Sequence, residues 1–531
     1  MLRWICMILA LLVPGMAFAG NSFVSVCYHD VADKDPDQTY LAVSTAKLVQ
    51  QFNWLRENGY HPVSIDQLMV AKNGGPALPD KAVLLTFDDG YISFYTHVFP
   101  LLKAFHFPAT FALVGSWLEV PAGQPVHYGQ SLVPRENFVT WDQVREMHKS
   151  GLVEIASHTW DMHHGILANP QGSMEPAVIT RLFDAAKGTY EDDKTYRDRL
   201  QLDLATNSAV IARETGRRPR VMVWPYGAYN GMAVEVAREA GMDIAATLDE
   251  GMGDTSKLNA IPRRLVANDP NLPAFVEDLR GAAAVPPMRV VQVDLDYVYD
   301  PDPQKQEANV DALLERVKAL GANTVFLRAD TENHDAVYFP NRHLPVRSDL
   351  FNRVSWQLNR RLDVKVYAQL PVLDPGIYED LARYAPLDGL LFQGDGPTED
   401  IAKRVSVWRS PVFTARTFDP HGVLNAEELF AQNMRDYDYT AISAKEETLG
   451  ALVKQVSRHP EGLRRTVFEL QSVDRTRSGS HVPSEDLRKQ MRTLVMSGVK
   501  NFGFSPDHFL TDNPAAAVIT PAFSLKESPA P

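Results

Sequence analysis

The sequence predicts an α/β protein built from two (β/α) barrels in tandem, the first incomplete or distorted and the second a complete (β/α)8 barrel. Three observations support this fold class: a length of 531 residues, a repeated alternation of β-like and helical segments, and a stretch of small residues and prolines, GAAAVPPM, at 281–288. A chain of this length can hold two to four domains. Strand–helix alternation is typical of a mainly parallel sheet.

The first half contains six β-like segments, which are rich in branched and aromatic residues. They are FVSVCYHDV (23–31), AVLLTFDDG (82–90), ATFALVG (109–115), VEIASHT (153–159), RVMVWPYG (220–227) and DIAATLD (243–249). Helical patterns lie between them, such as TAKLVQQFNWLRENG (45–59), WDQVREMHKSG (141–151) and AVEVAREAG (233–241). The last two end at glycine, a common helix terminator.

The second half contains eight β-like segments, mostly separated by helical ones. They are RVVQVDLDY, NTVFLRAD, DVKVYAQL, DGLLFQGD, PVFTAR, YTAISA, RTVFELQS and KNFGFSPD. Eight βα units indicate a closed barrel. We therefore predict domains at 20–280 and 289–515, joined by a linker at 281–288 and followed by a polar tail at 516–531.

The first twenty residues have the pattern of a secretory signal. Arg3 gives a positive start, Ile5 to Val13 an apolar middle, and 17–19 a small-x-small cleavage pattern, so residues 1–19 are expected to be removed. The apolar stretch is too short for a membrane anchor. Only Cys27 would remain of the two cysteines, and an exported chain without disulfides is typical of a bacterial periplasm. We expect the protein there, either free or peripheral at the outer membrane.

The charge balance excludes one class of partner. Acidic residues outnumber basic ones by 66 to 53, which gives a formal charge of −13. Nucleic-acid binding requires a basic surface, so we expect no nucleic-acid partner. An acidic protein is compatible with a cationic polymer.

Two strand ends in the first half carry the residue types of a metal site. Asp88 and Asp89 follow one apolar run, and His158 follows another, with His163 and His164 close behind. The carboxyl ends of parallel strands meet at one edge, where catalytic groups concentrate. Two histidines and one aspartate with open coordination positions suit a catalytic divalent metal such as Zn²⁺. The alternative is an ordinary Asp-Asp-Gly turn with surface histidines.

The motifs at these strand ends resemble those of a known family. TFDDG (86–90), SHTWDMHH (157–164) and VWPYG (223–227), in this order, resemble the polysaccharide deacetylase family of carbohydrate esterases. Members are metal-dependent enzymes that remove N-acetyl groups from chitin-like polymers or peptidoglycan. The resemblance implies a general base, Asp88, and three ligands of a divalent cation (zinc, or nickel, cobalt or iron), Asp89, His158 and His163.

The chain departs from the family's pattern at the second histidine and at an arginine. The family's histidines are usually four residues apart and share a helix face. Here Met162 holds that place, so His163 requires a bulge or loop; His164 is the rival ligand. Val223 stands near the place of the arginine that steadies the base, and Arg263 or Arg264 is a candidate substitute.

The family's acid histidine normally comes late in the domain, yet no histidine lies between His164 and His334. His29, at the end of VSVCYHDV, is the remaining candidate. A circularly permuted barrel would bring this first strand to the place of the last one. A Tyr-His pair near the N-terminus is also similar to the branch that acts on poly-β-1,6-N-acetylglucosamine, a biofilm exopolysaccharide. The resemblance therefore implies a permuted barrel with His29 as the general acid.

Two aromatic residues complete the predicted site. By resemblance, the backbone N–H of Tyr226 would stabilise the oxyanion of the tetrahedral intermediate. Trp224 is a candidate for stacking on a sugar face, although buried aromatic residues are more often part of the core.

The whole chain resembles the two-domain periplasmic poly-β-1,6-N-acetyl-D-glucosamine N-deacetylases, in which a deacetylase domain precedes a glycoside-hydrolase-like barrel. The matching stretches are VDLDYVYD (293–300), FPNRHLP (339–345), LDGLLFQGD (387–395) and GVKNFGFSPDHFL (498–510). Four strand-end acids are candidates for binding the polymer: Asp294, Asp296, Asp395 and Asp507. Asp395 is the candidate acid for glycoside cleavage. Its Gly-Asp-Gly setting differs from the family's Asp-Asp-Ala-like run, so polymer binding is the expected role.

The leading hypothesis is a periplasmic, metal-dependent N-deacetylase of poly-β-1,6-N-acetyl-D-glucosamine that supports polymer export and biofilm formation. Its expected partners are that polymer and an outer-membrane polysaccharide export porin. Two alternatives stay open. One is a peptidoglycan or chitin-oligomer deacetylase, and the other is a non-catalytic polysaccharide-binding export protein with a vestigial metal site.

Overall fold

The computed structural model describes residues 20–129, 131–281, 286–394, 396–419, 426–474 and 480–525. The predicted signal at 1–19 and the candidate acid Asp395 lie outside these residues, as does part of the predicted linker.

The first domain contains seventeen strands and eight α-helices among its described residues. The strands are β1 (Ser22–Tyr28), β2 (Val31–Ala32), β3 (Val43–Ser44), β4 (His61–Pro62), β5 (Ala82–Phe87), β6 (Ala109–Leu113), β7 (Pro125–Tyr128), β8 (Ser131–Pro134), β9 (Val153–Ser157), β10 (Gly165–Leu167), β11 (Met174–Pro176), β12 (Phe183–Asp184), β13 (Thr189–Tyr190), β14 (Val221–Val223), β15 (Ile244–Ala246), β16 (Gly253–Asp254) and β17 (Arg264–Leu265). The helices are α1 (Thr45–Glu57), α2 (Ile65–Lys72), α3 (Phe99–Phe105), α4 (Gly115–Glu119), α5 (Trp141–Lys149), α6 (Asp193–Thr215), α7 (Gly231–Glu239) and α8 (Leu272–Arg280).

The six predicted strands of this half form one parallel sheet in the order β15-β14-β9-β6-β5-β1. The side chains of β5 alternate between two cores, as the pleat of a strand requires. Val83, Leu85 and Phe87 pack with the surrounding helices, whereas Ala82 and Leu84 fill the inside of the sheet. A strand buried on both faces reads as a continuous apolar run, which explains why the sequence revealed it.

One short segment contacts both edges of this sheet. Ile261 forms a parallel bridge with Ala246 in β15, and β17 pairs in parallel with β1. The sheet therefore curls into the distorted barrel that the sequence predicts. The segment itself was not predicted, because β17 has only two residues. The hairpins β7–β8, β10–β11 and β12–β13 were also missed, since each is a short excursion outside the sheet.

The second domain is the predicted (β/α)8 barrel. Its strands are β18 (Arg289–Asp294), β19 (Thr324–Arg328), β20 (Lys365–Pro371), β21 (Gly389–Gln393), β22 (Phe413–Phe418), β23 (Tyr439–Ala444), β24 (Thr466–Gln471), β25 (Val473–Asp474), β26 (Ser480–His481) and β27 (Phe502–Ser505). Its helices are α9 (Pro303–Leu320), α10 (Phe351–Leu362), α11 (Pro375–Tyr384), α12 (Glu399–Trp408), α13 (Ala426–Asp436), α14 (Leu449–Val456), α15 (Gly462–Arg465), α16 (Ser484–Met496) and α17 (Ala516–Phe523). The eight predicted strands close the barrel in chain order, with β27 beside β18.

The predicted boundary at 515 is wrong. Helix α17 begins at Ala516 and packs against α9 and α16. Its Ile519 and Phe523 are buried in the barrel core, so residues 516–523 belong to the second domain and not to a tail. The prolines of this region hid an apolar helix in a stretch that otherwise resembles a tail.

The two domains share an extensive interface. Buried Arg409 donates to the carbonyl of Ile179 at 2.8 Å, and Arg383 pairs with Asp193 at 2.9 Å. At the start of α7, a side chain on Gly231 would lie 2.7 Å from the Ser406 carbonyl, so glycine permits this close approach. Among the described residues, we find no helix with both the length and the apolar character needed to cross a membrane.

Candidate metal centre

The two adjacent aspartates lie at the carboxyl end of β5 and are both buried. In a regular strand, neighbouring side chains point to opposite faces. Asp89 breaks this alternation with a φ of 72°, a left-handed conformation that residues other than glycine seldom adopt. The bend brings both carboxylates within electrostatic reach of His158. Such strained residues often cluster at functional sites, and Thr159 and Tyr226 nearby also have positive φ.

Three predicted ligands meet at one point. Asp89 Oδ1 lies 3.3 Å from Nε2 of His158 and 3.2 Å from Nε2 of His163, and all three residues are buried. Asp89 Oδ1 has no hydrogen-bond partner among the described residues. Burial raises the pKa of Asp89, but His163 and His158 outweigh it, so the net pKa lies below the usual range and Asp89 is a carboxylate.

These distances fit a single divalent cation. Zinc bonds of about 2.0–2.2 Å at tetrahedral angles place neighbouring ligand atoms about 3.3–3.6 Å apart. Burial lowers the pKa of His163 to about 4, so its imidazole is neutral at neutral pH and free to ligate. The unpaired Oδ1 of Asp89, between Nε2 of His158 and Nε2 of His163, therefore forms a suitable binding site for a metal ion.

Neighbouring groups orient the ligands. His158 Nδ1 donates to the carbonyl of Val223 at 2.7 Å, which directs Nε2 toward the centre. The hydroxyl of Tyr128 donates to Asp89 Oδ2 at 2.8 Å. Tyr128 comes from the hairpin β7–β8 that the sequence did not reveal, so its role could not be predicted.

A loop resolves the unusual histidine spacing. After β9 the chain leaves regular structure, and both carboxylate oxygens of Asp203 accept backbone N–H groups, from Trp160 and Asp161, each at 2.8 Å. This loop buries Met162 and places His163, not His164, in the centre. The position of His163 beside Asp89 and His158 therefore supports His163, and not His164, as the candidate ligand.

The predicted base is held by Arg263. Its Nη1 donates to Asp88 Oδ1 at 2.8 Å, and the arginine is almost fully buried. Burial raises the pKa of Asp88, but Arg263, together with His158 and His29, reverses this effect, so the pKa lies below its ordinary value. Of the two candidate substitutes for the family's arginine, Arg263 contacts Asp88, whereas Arg264 pairs with Asp278 near the surface.

The second oxygen of Asp88 faces β1. The thiol of Cys27 donates to Asp88 Oδ2 at 3.3 Å. Ligand atoms of Cys27, His29 and Asp88 all lie within 4.8 Å of one another. The first strand of the domain therefore delivers His29 to the same site, which is the location that the sequence predicted.

Tyr226 lies at the opening of the centre. Its ring centroid is 4.6 Å from that of His163, and the residue is 50% exposed. The prediction for Trp224 is wrong. This residue is fully buried and stacks against Tyr229 in the core between the domains, so no sugar reaches its face.

The strand-end acids of the second barrel differ in their surroundings. Asp294 lines a cavity of about 770 Å³ in the barrel mouth and pairs with Arg328 at 3.3 Å. Asp296 lies nearby and accepts from the Tyr338 hydroxyl at 2.6 Å. The prediction for Asp507 is wrong, because this residue is fully buried and is held by two hydrogen bonds from Arg316.

Several other mouth residues share this cavity and could not be predicted from the sequence. They are polar side chains scattered over many strand ends, including Glu332, His334, Glu469, His481 and His508. Only the closed barrel brings them together, since no motif joins them in the sequence.

Comparison with known proteins follows the division into two domains. A family model described as "Polysaccharide deacetylase" matches residues 75–245, and one described as "Hypothetical glycosyl hydrolase family 13" matches residues 292–374 and 395–505. The poly-β-1,6-N-acetyl-D-glucosamine N-deacetylase of Escherichia coli K12 is 37% identical over 95% of this chain and 92% of its own length. The chain belongs to the poly-β-1,6-N-acetyl-D-glucosamine N-deacetylase family. It is accordingly a polysaccharide deacetylase, a hydrolase of N-acetyl groups.

Two solved structures are each similar to about half of this chain. The de-N-acetylase from Aggregatibacter actinomycetemcomitans is 40% identical and covers 49% of this chain and 100% of its own, with a TM-score of 0.46. The PgaB (BpsB) glycoside hydrolase domain from Bordetella bronchiseptica is 31% identical and covers 45% of this chain and 99% of its own, with a TM-score of 0.41.

The family-model match omits two residues of the site. It spans residues 75–245, so His29 and Arg263 of this polysaccharide deacetylase lie on either side of it. The fold brings both back to Asp88, because β1 pairs with β5 and the segment leading into β17 returns to β1.

Proposed function

We propose that this polysaccharide deacetylase removes N-acetyl groups from poly-β-1,6-N-acetyl-D-glucosamine with the aid of a divalent metal. The observation that carries the proposal is the convergence of Asp89, His158 and His163 at ligand distances, with Asp88 beside them in an ion pair with Arg263. The substrate is that named for the E. coli relative, which aligns with both domains.

The ligands suit zinc, with nickel, cobalt or iron as alternatives, since imidazole binds all four. When bound, such a cation supplies Lewis acidity and lowers the pKa of a bound water.

The chain's own residues divide the proton transfers. Asp88 takes a proton from the attacking water, because it is a carboxylate fixed by Arg263 and lies next to ligand Asp89. His29 donates a proton to the departing nitrogen of the acetamide. The backbone N–H of Tyr226 stabilises the oxyanion of the tetrahedral intermediate.

The second barrel binds the polymer through its acidic mouth in this proposal. Asp294 and Asp296 attract the glucosamine ammonium groups that deacetylation creates, in keeping with the acidic balance of the chain. The signal-like N-terminus supports a periplasmic location. There the product would pass to an outer-membrane polysaccharide export porin for biofilm formation.

The experiment is acetate release from β-1,6-linked and β-1,4-linked N-acetylglucosamine pentamers by the full chain. Protein stripped with a chelator is compared with protein that has been reloaded with zinc, nickel, cobalt or iron. We expect release from the β-1,6 pentamer that is lost on stripping and restored by metal.

Three results would overturn parts of this proposal. Preference for the β-1,4 pentamer would favour chitin or peptidoglycan fragments. Acetate release that continues after treatment with the chelator would show that the reaction does not depend on a metal. No release with any metal would favour a non-catalytic export protein.

A further inference from the structure

The junction of the two domains contains a pair of cavities next to the metal centre. One has a volume of about 530 Å³ and the other about 410 Å³, and each lies in the range of ligand pockets. They share five lining residues: Glu175, Pro176, Tyr226, Trp356 and Arg360. Ligand sites often occur where domains meet.

The larger cavity adjoins the reacting centre. Tyr226 lines it and also stands 4.6 Å, ring to ring, from ligand His163. His164, which follows His163 in the chain, lines the same cavity, as does Asp161. A polymer whose acetamide lies at the metal centre would therefore continue into this space.

The second domain supplies one wall of the cavity. Trp356 and Arg360 lie four residues apart on α10, so they share a helix face. Trp356 is partly buried and Arg360 is exposed. Tyr226 of the first domain lines both cavities together with Arg360, so residues of the two domains face the same space.

The first domain supplies an unsatisfied polar atom. Glu175 in β11 is buried, and its Oε1 has no hydrogen-bond partner among the described residues. An unpaired buried oxygen is costly unless a ligand or water completes it. A tryptophan, an arginine and an unpaired carboxyl oxygen together provide the apolar face and polar groups that a sugar ring requires.

We propose that Trp356, Arg360 and Glu175 form a subsite for the sugar unit next to the one being deacetylated. The proposal rests on the proposed function and adds that the second domain takes part directly in the deacetylation site. The sugar ring lies against Trp356, while Arg360 and Glu175 hydrogen-bond to its hydroxyl or acetamide groups. The smaller cavity, which also contacts Tyr226, would hold further sugar units of the polymer along the domain junction.

The test compares substrates of different length on the metal-loaded full chain. We measure kcat/KM for acetate release from the β-1,6-linked N-acetylglucosamine pentamer and from the methyl glycoside of N-acetylglucosamine, which cannot reach the subsite. The ratio of the two values reports the contribution of neighbouring sugars. Trp356→Ala should reduce this ratio about tenfold, mainly through KM for the pentamer, and Arg360→Ala about threefold to tenfold.

Arg361→Ala is the matched control. Arg361 is the neighbouring arginine on α10, is exposed and pairs with Asp311, and it lines neither cavity. The control should keep the wild-type ratio, and all variants should keep the wild-type melting temperature within a few degrees.

The outcomes separate this inference from the proposed function. A wild-type ratio in both Trp356→Ala and Arg360→Ala, or an equal loss in Arg361→Ala, would overturn the subsite alone. A wild-type enzyme that releases no acetate from the pentamer under any metal would overturn the proposed function, and the subsite with it.

Discussion

The two barrels place acidic residues at the same topological position, the carboxyl ends of parallel strands, yet their surroundings differ. At the end of β5, Asp89 faces two imidazoles and has an unpaired oxygen. At the end of β18, Asp294 faces the guanidinium of Arg328, and the mouth around it is open.

The difference shows that the fold provides positions, whereas the groups facing each acid decide its chemistry. A buried carboxylate with an unpaired oxygen between two imidazole nitrogens suits a cation. In the open mouth of the second barrel, Asp294 already has a countercharge in Arg328, and it suits binding through exchange of hydrogen bonds. Asp507 marks the extreme of the second case, since Arg316 satisfies it inside the protein.

The largest effect should come from removing a ligand in the first site. His163→Ala should lose the bound metal and reduce acetate release more than about 100-fold, because even outer partners of metal ligands are worth 10–100-fold. His164→Ala, one residue away, should keep most of both. For both variants, metal content is measured by elemental analysis, and activity is measured as acetate release. The reverse pattern would mean that the loop presents the other histidine.

An intermediate effect should come from His29→Ala. Metal content should stay near that of the wild type, since His29 is not one of the three ligands. Acetate release from an N-acetylated sugar should fall about 10²–10⁴-fold, the usual scale of general acid–base catalysis. The loss should be smaller for an aryl acetate, whose leaving group needs no proton. Equal losses on both substrates would argue for a structural role.

The smallest effect on chemistry should come from the second barrel. Asp294→Asn should weaken the binding of a long, partly deacetylated polymer about twofold to tenfold, the worth of one hydrogen bond. Acetate release from a single-sugar substrate should change less than about twofold, because the mouth is a separate cavity from the metal centre. Affinity electrophoresis and acetate assays measure the two quantities. A large loss of acetate release from the single-sugar substrate in Asp294→Asn would show that the second barrel also takes part in the deacetylation chemistry.

The sequence predicted the regular parts of the fold well, for a physical reason. Long strands buried on both faces are continuous apolar runs, and all fourteen predicted strands are present. Short elements such as β17 and the hairpin β7–β8 lack such a pattern. Their contributions to the site, including Tyr128, were therefore invisible.

The site was predictable where a residue lies in a local motif. Asp88, Asp89, His158 and His163 all follow strands, so their residue types and order sufficed. Burial was harder to predict, as Trp224 and Asp507 show, because it depends on contacts with distant parts of the chain. The choice of Arg263 over Arg264 also required the structure, since the two are adjacent in sequence.

The hydrogen bond between Arg263 and Asp88 spans 175 positions of sequence, and His29, near the other end of the domain, lies close to the same carboxylate. Domains generally fold as units, and contacts between distant positions form only after a large loop has closed. During synthesis, the base would therefore lack its arginine until nearly the whole first domain had emerged. Deacetylase activity is thus a reporter of complete folding, and a partly made or truncated chain would carry the metal ligands without a working base.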